Sequence, residues 1–139
     1  MNPQPMITVH YVPASSRWYQ AVLGLQSGHG GPEYEQLVFE GRTVLQLHHW
    51  GAHEHPHEHS HEHPHLGDPA LRPYGNGAVL WFQTDAFDAA MARVRAHGAQ
   101  VLEGPRVNPN AHHREVWLRD PDGYVVVVAS AYGDLGGLA

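Results

Sequence analysis

The chain has 139 residues, 42% of them apolar, and a formal charge of -6 with its 14 histidines neutral, which suits one domain with one core. Its eight cations are all arginines, scattered along the chain, and it has no cysteine. That excludes Schiff-base lysines, thiolate nucleophiles, disulfides and thiolate metal sites, and it leaves no basic patch for nucleic acid. The longest wholly apolar run, Val125 to Ala129, is too short to cross a bilayer. The opening MNPQPMITVHYV lacks a charged start followed by a long apolar stretch, so no signal peptide and a cytoplasmic location are expected.

Met6 to Val12 reads as a first strand. Pro13, Ser15 and Ser16 can start a helix in which Trp18, Tyr19, Val22 and Leu23 recur at helical spacing, and Gly24 stops it. Tyr34 to Glu40 and Thr43 to His49 read as two strands around a Gly41-Arg42 turn. A low-complexity stretch, 51–74, follows. It is rich in His, Pro and Gly, has no hydrophobic period, and is expected to be an insertion or linker. The order then returns. Ala78 to Gln83 is a strand, and Asp85 can cap a helix with an apolar stripe of Phe87, Ala90, Met91 and Val94, ended by Gly98. Val101 to Glu103 starts another strand. Glu115 to Leu118 and Tyr124 to Ala129 are two more, joined by Asp120-Pro121-Asp122-Gly123, a strong turn signal. His112 and His113 fall after Pro109 and are expected in an exposed loop. Each half therefore reads strand, helix, then two or three strands, as two copies of one module would.

Three stretches give this order a family likeness: VHYVPASSRWYQAVLGL (9–25), VLQLHHWG (44–51) and REVWLRDPDGYVVVVAS (114–130). Together they resemble the glyoxalase/bleomycin-resistance/dioxygenase superfamily, also called vicinal oxygen chelate proteins. The resemblance implies an α+β fold of two βαβββ modules, about 5–50 and 75–131, forming a curled mixed sheet around a cleft. It also implies a homodimer. Metal-dependent members hold one divalent ion with His or Gln, Glu, His and Glu on four strands, where it acts as a Lewis acid. Carried over, those positions fall on Gln4, Gln46, Val79 and Val127. Valine cannot bind metal, so the resemblance points to the branch that binds a small molecule with no metal in the cleft. The enzyme alternative is a lyase, isomerase or dioxygenase with shifted ligands such as His10, His48 and Glu115.

Strand alternation supplies candidate ligand-binding residues. If Leu45 and Leu47 pack on a helix, Gln46 and His48 face the other way. The same argument selects Trp81 and Gln83 beside Leu80 and Phe82, Glu115 and Trp117 beside Val116 and Leu118, and His10 beside Val9. This mixture of indoles, imidazoles and amides suits a flat aromatic or cationic small molecule. The alternative is that the two tryptophans fill a core or a dimer contact.

The run HEHPHEHSHEHPH carries His53, His55, His57, His59, His61, His63 and His65. Residues two apart share one side of an extended chain, so several imidazoles line one edge. Neutral imidazole suits Zn, Ni and Cu, and the three Glu add charge or further ligands. Seven equivalent ligands permit many arrangements. That favours buffering or delivery of metal over catalysis, and makes a metal-buffer protein a third functional reading.

Overall fold

The structure is a computed structural model and describes residues 1–51 and 65–137. The chain divides into two compact units, Met1–Arg72 and Pro73–Ala139, here called module one and module two. Each holds one helix and one four-stranded sheet. The architecture is α+β with the βαβββ order in both.

Module one runs β1 (Met6–Val9), α1 (Val12–Leu23), β2 (Gln26–Ser27), β3 (Tyr34–Phe39) and β4 (Arg42–His49), in sheet order β1-β4-β3-β2. The β1–β4 pair is parallel and the others antiparallel. The first strand stops at Val9, before the expected Val12. Val12 already belongs to the helix, where Pro13 supplies a pre-set φ in the first turn and Tyr11 takes the cap position without a side-chain cap bond. Ser15 and Ser16 are buried inside the helix rather than heading it. Gly24 ends it in the left-handed region at φ 71°, with its N–H donating to the Gln20 carbonyl at 3.1 Å. Val12, Tyr19 and Val22 meet Val9, Leu37, Leu45 and Leu47 in a core where every one of these side chains is buried. Each contributes about 1.5–3 kcal/mol of apolar burial.

Module two runs β5 (Leu80–Thr84), α2 (Phe87–Ala96), β6 (Gln100–Asn108), β7 (His113–Arg119) and β8 (Val125–Ser130), in sheet order β5-β8-β7-β6. Phe87, Ala90, Met91 and Val94 are buried, as their spacing predicts, with Val116, Leu118, Val126 and Val128. Asp85 does not cap α2. Ala86 holds the cap position, and its N–H donates to Thr84 Oγ1 at 3.0 Å instead. The DPDG turn works through its first residue. Asp120 is buried, and its Oδ1 accepts from the N–H of Asp122 and of Tyr124, each at 2.9 Å. Tyr74, expected in the linker, is buried and lies 5.9 Å from the Tyr124 ring.

Below β8, Arg114 ties the following segment to the module. It donates to Asp88 of α2 at 2.7 Å and to Asp134 at 2.9 Å, and its guanidinium lies 4.6 Å from the Phe87 ring centre. Ser130 Oγ donates to the Asp134 carbonyl at 2.8 Å.

Candidate functional site

The helix-free face of module two is set by register. Trp81 and Trp117 both pair with Val127, Gln83 and Glu115 both pair with Ala129, and Glu103 and Arg106 flank Trp117 and Glu115 from β6. Paired residues share a face of the sheet, so these side chains stand opposite Val116 and Leu118. Trp81 is 47% exposed. Its ring centre lies 6.3 Å from that of Trp117, edge to face, and 5.7 Å from that of His113.

Glu115 sits among these rings with only 1% of its surface exposed. Its Oε2 lies 2.7 Å from His113 Nε2. Its Oε1 accepts from Trp117 Nε1 at 3.2 Å, Asn108 Nδ2 at 3.3 Å and an Arg106 guanidinium N–H at 3.4 Å. Burial alone pushes its carboxyl pKa up. The hydrogen bonds from His113, Trp117 and Asn108 outweigh burial and hold it below the usual value. The result is an ionised carboxylate under two indoles, with its position fixed by four side chains.

The corresponding face of module one is uncharged. Gln46 pairs with Met6 and Gln36, and His48 with Thr8 and Tyr34. The Tyr34 hydroxyl donates to Gln46 Oε1 and accepts from Gln36 Nε2 at 3.1 Å. Gln46 Nε2 donates to the Gln4 carbonyl at 2.8 Å. Both ends of the Gln46 amide are thus engaged. His48 Nδ1 lies 2.6 Å from the His49 carbonyl. His10 lines a cavity of about 340 Å³ with Tyr11, His49, Trp50 and Asp68.

A second buried carboxylate, Glu35, lies on the opposite, helix-covered side of β3. It accepts from Ser16 and Ser27 hydroxyls at 2.8 and 2.7 Å and from the N–H groups of Gly30, His29 and Gln36 at 2.7, 3.0 and 3.0 Å. Burial pushes its pKa up, but these donors overcome it and hold the value at about 2. It is a structural anchor for the 27–30 loop.

Trp81, Gln83, Glu115 and Trp117 therefore share one face of module two, and Gln46 and His48 share one face of module one. Sequence reasoning missed His113, Asn108 and Arg106. His113 is not in an exposed loop. It is the first residue of β7, with 13% of its side chain exposed, because the strand begins two residues before the expected Glu115. The signal was present: His113, Glu115 and Trp117 are spaced two apart, as side chains on one face of a strand must be. His112 is exposed, as expected.

The positions that hold metal in metal-dependent relatives do not fit one here. Val79 and Val127 offer only hydrocarbon. Val127 is fully buried, and the Gln46 amide is spent on Tyr34 and Gln4. Among the described residues no group of three or more His, Cys, Asp or Glu is placed to hold a metal ion. His53, His55, His57, His59, His61 and His63 lie outside the described residues. His65 is exposed.

Residues 3–128 match the family model for the Glyoxalase/Bleomycin resistance protein/Dioxygenase superfamily. The chain belongs to this superfamily. Among solved structures, this superfamily member is similar to a protein from the mobile metagenome of V. pseudocholerae, at 26% identity over 94% of this chain and 93% of that one, with a TM-score of 0.66. It is similar in fold to a virulence protein from Salmonella typhimurium (23% identity, 95% and 96% covered, TM-score 0.64). It is also similar in fold to the fosfomycin resistance protein FosX from Mesorhizobium loti (14% identity, 94% and 92% covered, TM-score 0.62). A comparison with curated proteins finds no match. No described helix is long and apolar enough to cross a membrane.

Proposed function

We propose that this superfamily member binds a flat aromatic small molecule on the helix-free face of module two, and that it does so without a metal ion in that site. The observation that carries this reading is the exposed Trp81 set edge to face with Trp117 above a buried, ionised Glu115. Indole rings supply contact area at low entropic cost, and a small number of fixed polar groups orients the guest. A homodimer in the cytoplasm is part of this reading.

Titration of tryptophan emission with indole and with benzonitrile tests it. Saturable binding should weaken at least tenfold in Trp81→Ala, a change the fold tolerates because nearly half of that side chain is exposed. Binding that is absent, or indifferent to Trp81→Ala, sinks the reading.

A second role rests on the sequence of the repeat, where seven histidines at alternate positions favour Zn, Ni or Cu. In this role the repeat buffers or delivers divalent metal and leaves the aromatic site alone. Metal content of tag-free protein before and after deletion of 53–65 decides it. The metal should leave with the repeat, and about one ion per chain retained by the deleted protein would point to a metal enzyme instead.

A further inference from the structure

We propose that His113 is the hydrogen-bond acceptor of the module-two site, held by Glu115 as the tautomer with its proton on Nε2, and that the guest is therefore an aromatic bearing a hydroxyl or N–H donor. This rests on the binding reading above and adds the chemical class of the ligand.

An ionised carboxylate can only accept hydrogen bonds. Glu115 is surrounded by donors, three of them on Oε1, and its Oε2 is 2.7 Å from His113 Nε2. Nε2 must therefore carry the proton. In a neutral imidazole the other nitrogen is then a bare acceptor. His113 Nδ1 has no hydrogen-bond partner among the described residues, and the ring centre lies 5.7 Å from that of Trp81. Nδ1 is not among the described side-chain atoms that are both buried and unpartnered, so it is open to solvent and within reach of a guest. The vacant acceptor lies next to the exposed indole that would stack a guest. Stacking on Trp81 and donation to Nδ1 are contributions that one planar molecule with a polar hydrogen at its rim can make together.

Glu115 is a positioning residue in this arrangement. Both of its oxygens are engaged, and it sets which nitrogen of the imidazole is presented, as a carboxylate does for an imidazole in many sites where the second ring nitrogen must stay unprotonated.

The experiment compares 4-cyanophenol with benzonitrile, which share the ring and the nitrile and differ in one hydroxyl. In the native protein the phenol should bind about five- to tenfold tighter, the worth of one net hydrogen bond. In His113→Phe that ratio should fall to about one. A measurement that needs no variant runs beside it: nitrogen-15 NMR of the imidazoles at neutral pH should show His113 protonated on Nε2 and bare on Nδ1. Equal binding of both compounds by the native protein, or a His113 protonated on Nδ1, overturns the role of His113 and leaves the aromatic site standing. If neither compound binds, the aromatic site falls and this proposal with it.

Discussion

The third strands of the two modules begin with three residues each, Tyr34-Glu35-Gln36 and His113-Arg114-Glu115. In both, the middle residue is charged and faces the helix, and the outer two face away. Glu35 binds Ser16 of α1, and Arg114 binds Asp88 of α2. The outer pair differs in kind. Tyr34 and Gln36 join Gln46 in a neutral chain of hydrogen bonds, whereas His113 is bonded to the ionised carboxylate of Glu115 beneath two tryptophans. One scaffold thus carries two chemistries, and the difference lies in a handful of positions on the face away from the helix. The lesson is that the modules are alike where sheet packs on helix and unlike on the opposite face.

Substitutions can break this comparison, and the largest effect should come from Val127. Val127→Glu places a carboxylate at the position metal-binding relatives use, but in a fully buried setting. It should cost on the order of 4 kcal/mol in urea denaturation. A loss below about 1 kcal/mol would mean that this strand can open to a charge.

Glu35→Ala should cost about 3 kcal/mol by the same measurement, since it removes the acceptor of three backbone N–H groups and two serine hydroxyls. The acid response sharpens the point. Glu35 has a folded pKa of about 2 against an ordinary 4.5, so its contribution is complete above about pH 4.5 and is lost as pH falls toward 2. The melting temperature of the native protein should fall more steeply across that window than that of Glu35→Gln. Parallel curves would deny Glu35 its anchoring role.

Arg114→Met should cost less, about 1–2 kcal/mol in urea denaturation. It removes the bonds to Asp88 and Asp134, but it also removes a buried Nε that has no acceptor among the described residues, and it keeps much of the contact with Phe87. Gln46→Glu should have the smallest effect, about 1 kcal/mol or less by urea denaturation. The Tyr34 hydroxyl can still donate to a carboxylate, and only the bond to the Gln4 carbonyl is lost. Metal analysis of Gln46→Glu should show no new ion, because Val79 and Val127 remain hydrocarbon.

Much of this comparison was legible in the residues. The helical stripe Phe87, Ala90, Met91, Val94 and the alternation of Leu45 and Leu47 fixed which faces are covered, because periodicity reports burial directly. The family likeness placed Gln46, Val79 and Val127, the last by its distance from the DPDG turn. What stayed hidden depends on partners distant in sequence. Glu35 looks like any polar strand residue until the 27–30 loop folds over it. The role of His113 depends on β7 starting two residues early, and strand ends are poorly marked by alternation alone. The short β2, Gln26–Ser27, carries too few residues for any period to register.

The edges of the two sheets have a consequence for how the protein behaves when crowded. Three of the four terminal strands are short: β1 has four residues, β2 two and β5 five. The fourth, β6, has nine, long enough to template a foreign strand. Its pairing with β7 is broken between Val101 and Glu103 and again between Glu103 and Arg106, and Pro105, which has no N–H to offer, sits in the second break. Such interruptions blunt an edge against self-addition. A chain with so apolar a closing strand as Val125–Ala129 is thereby guarded, at its one long border, against growing into fibrous aggregates.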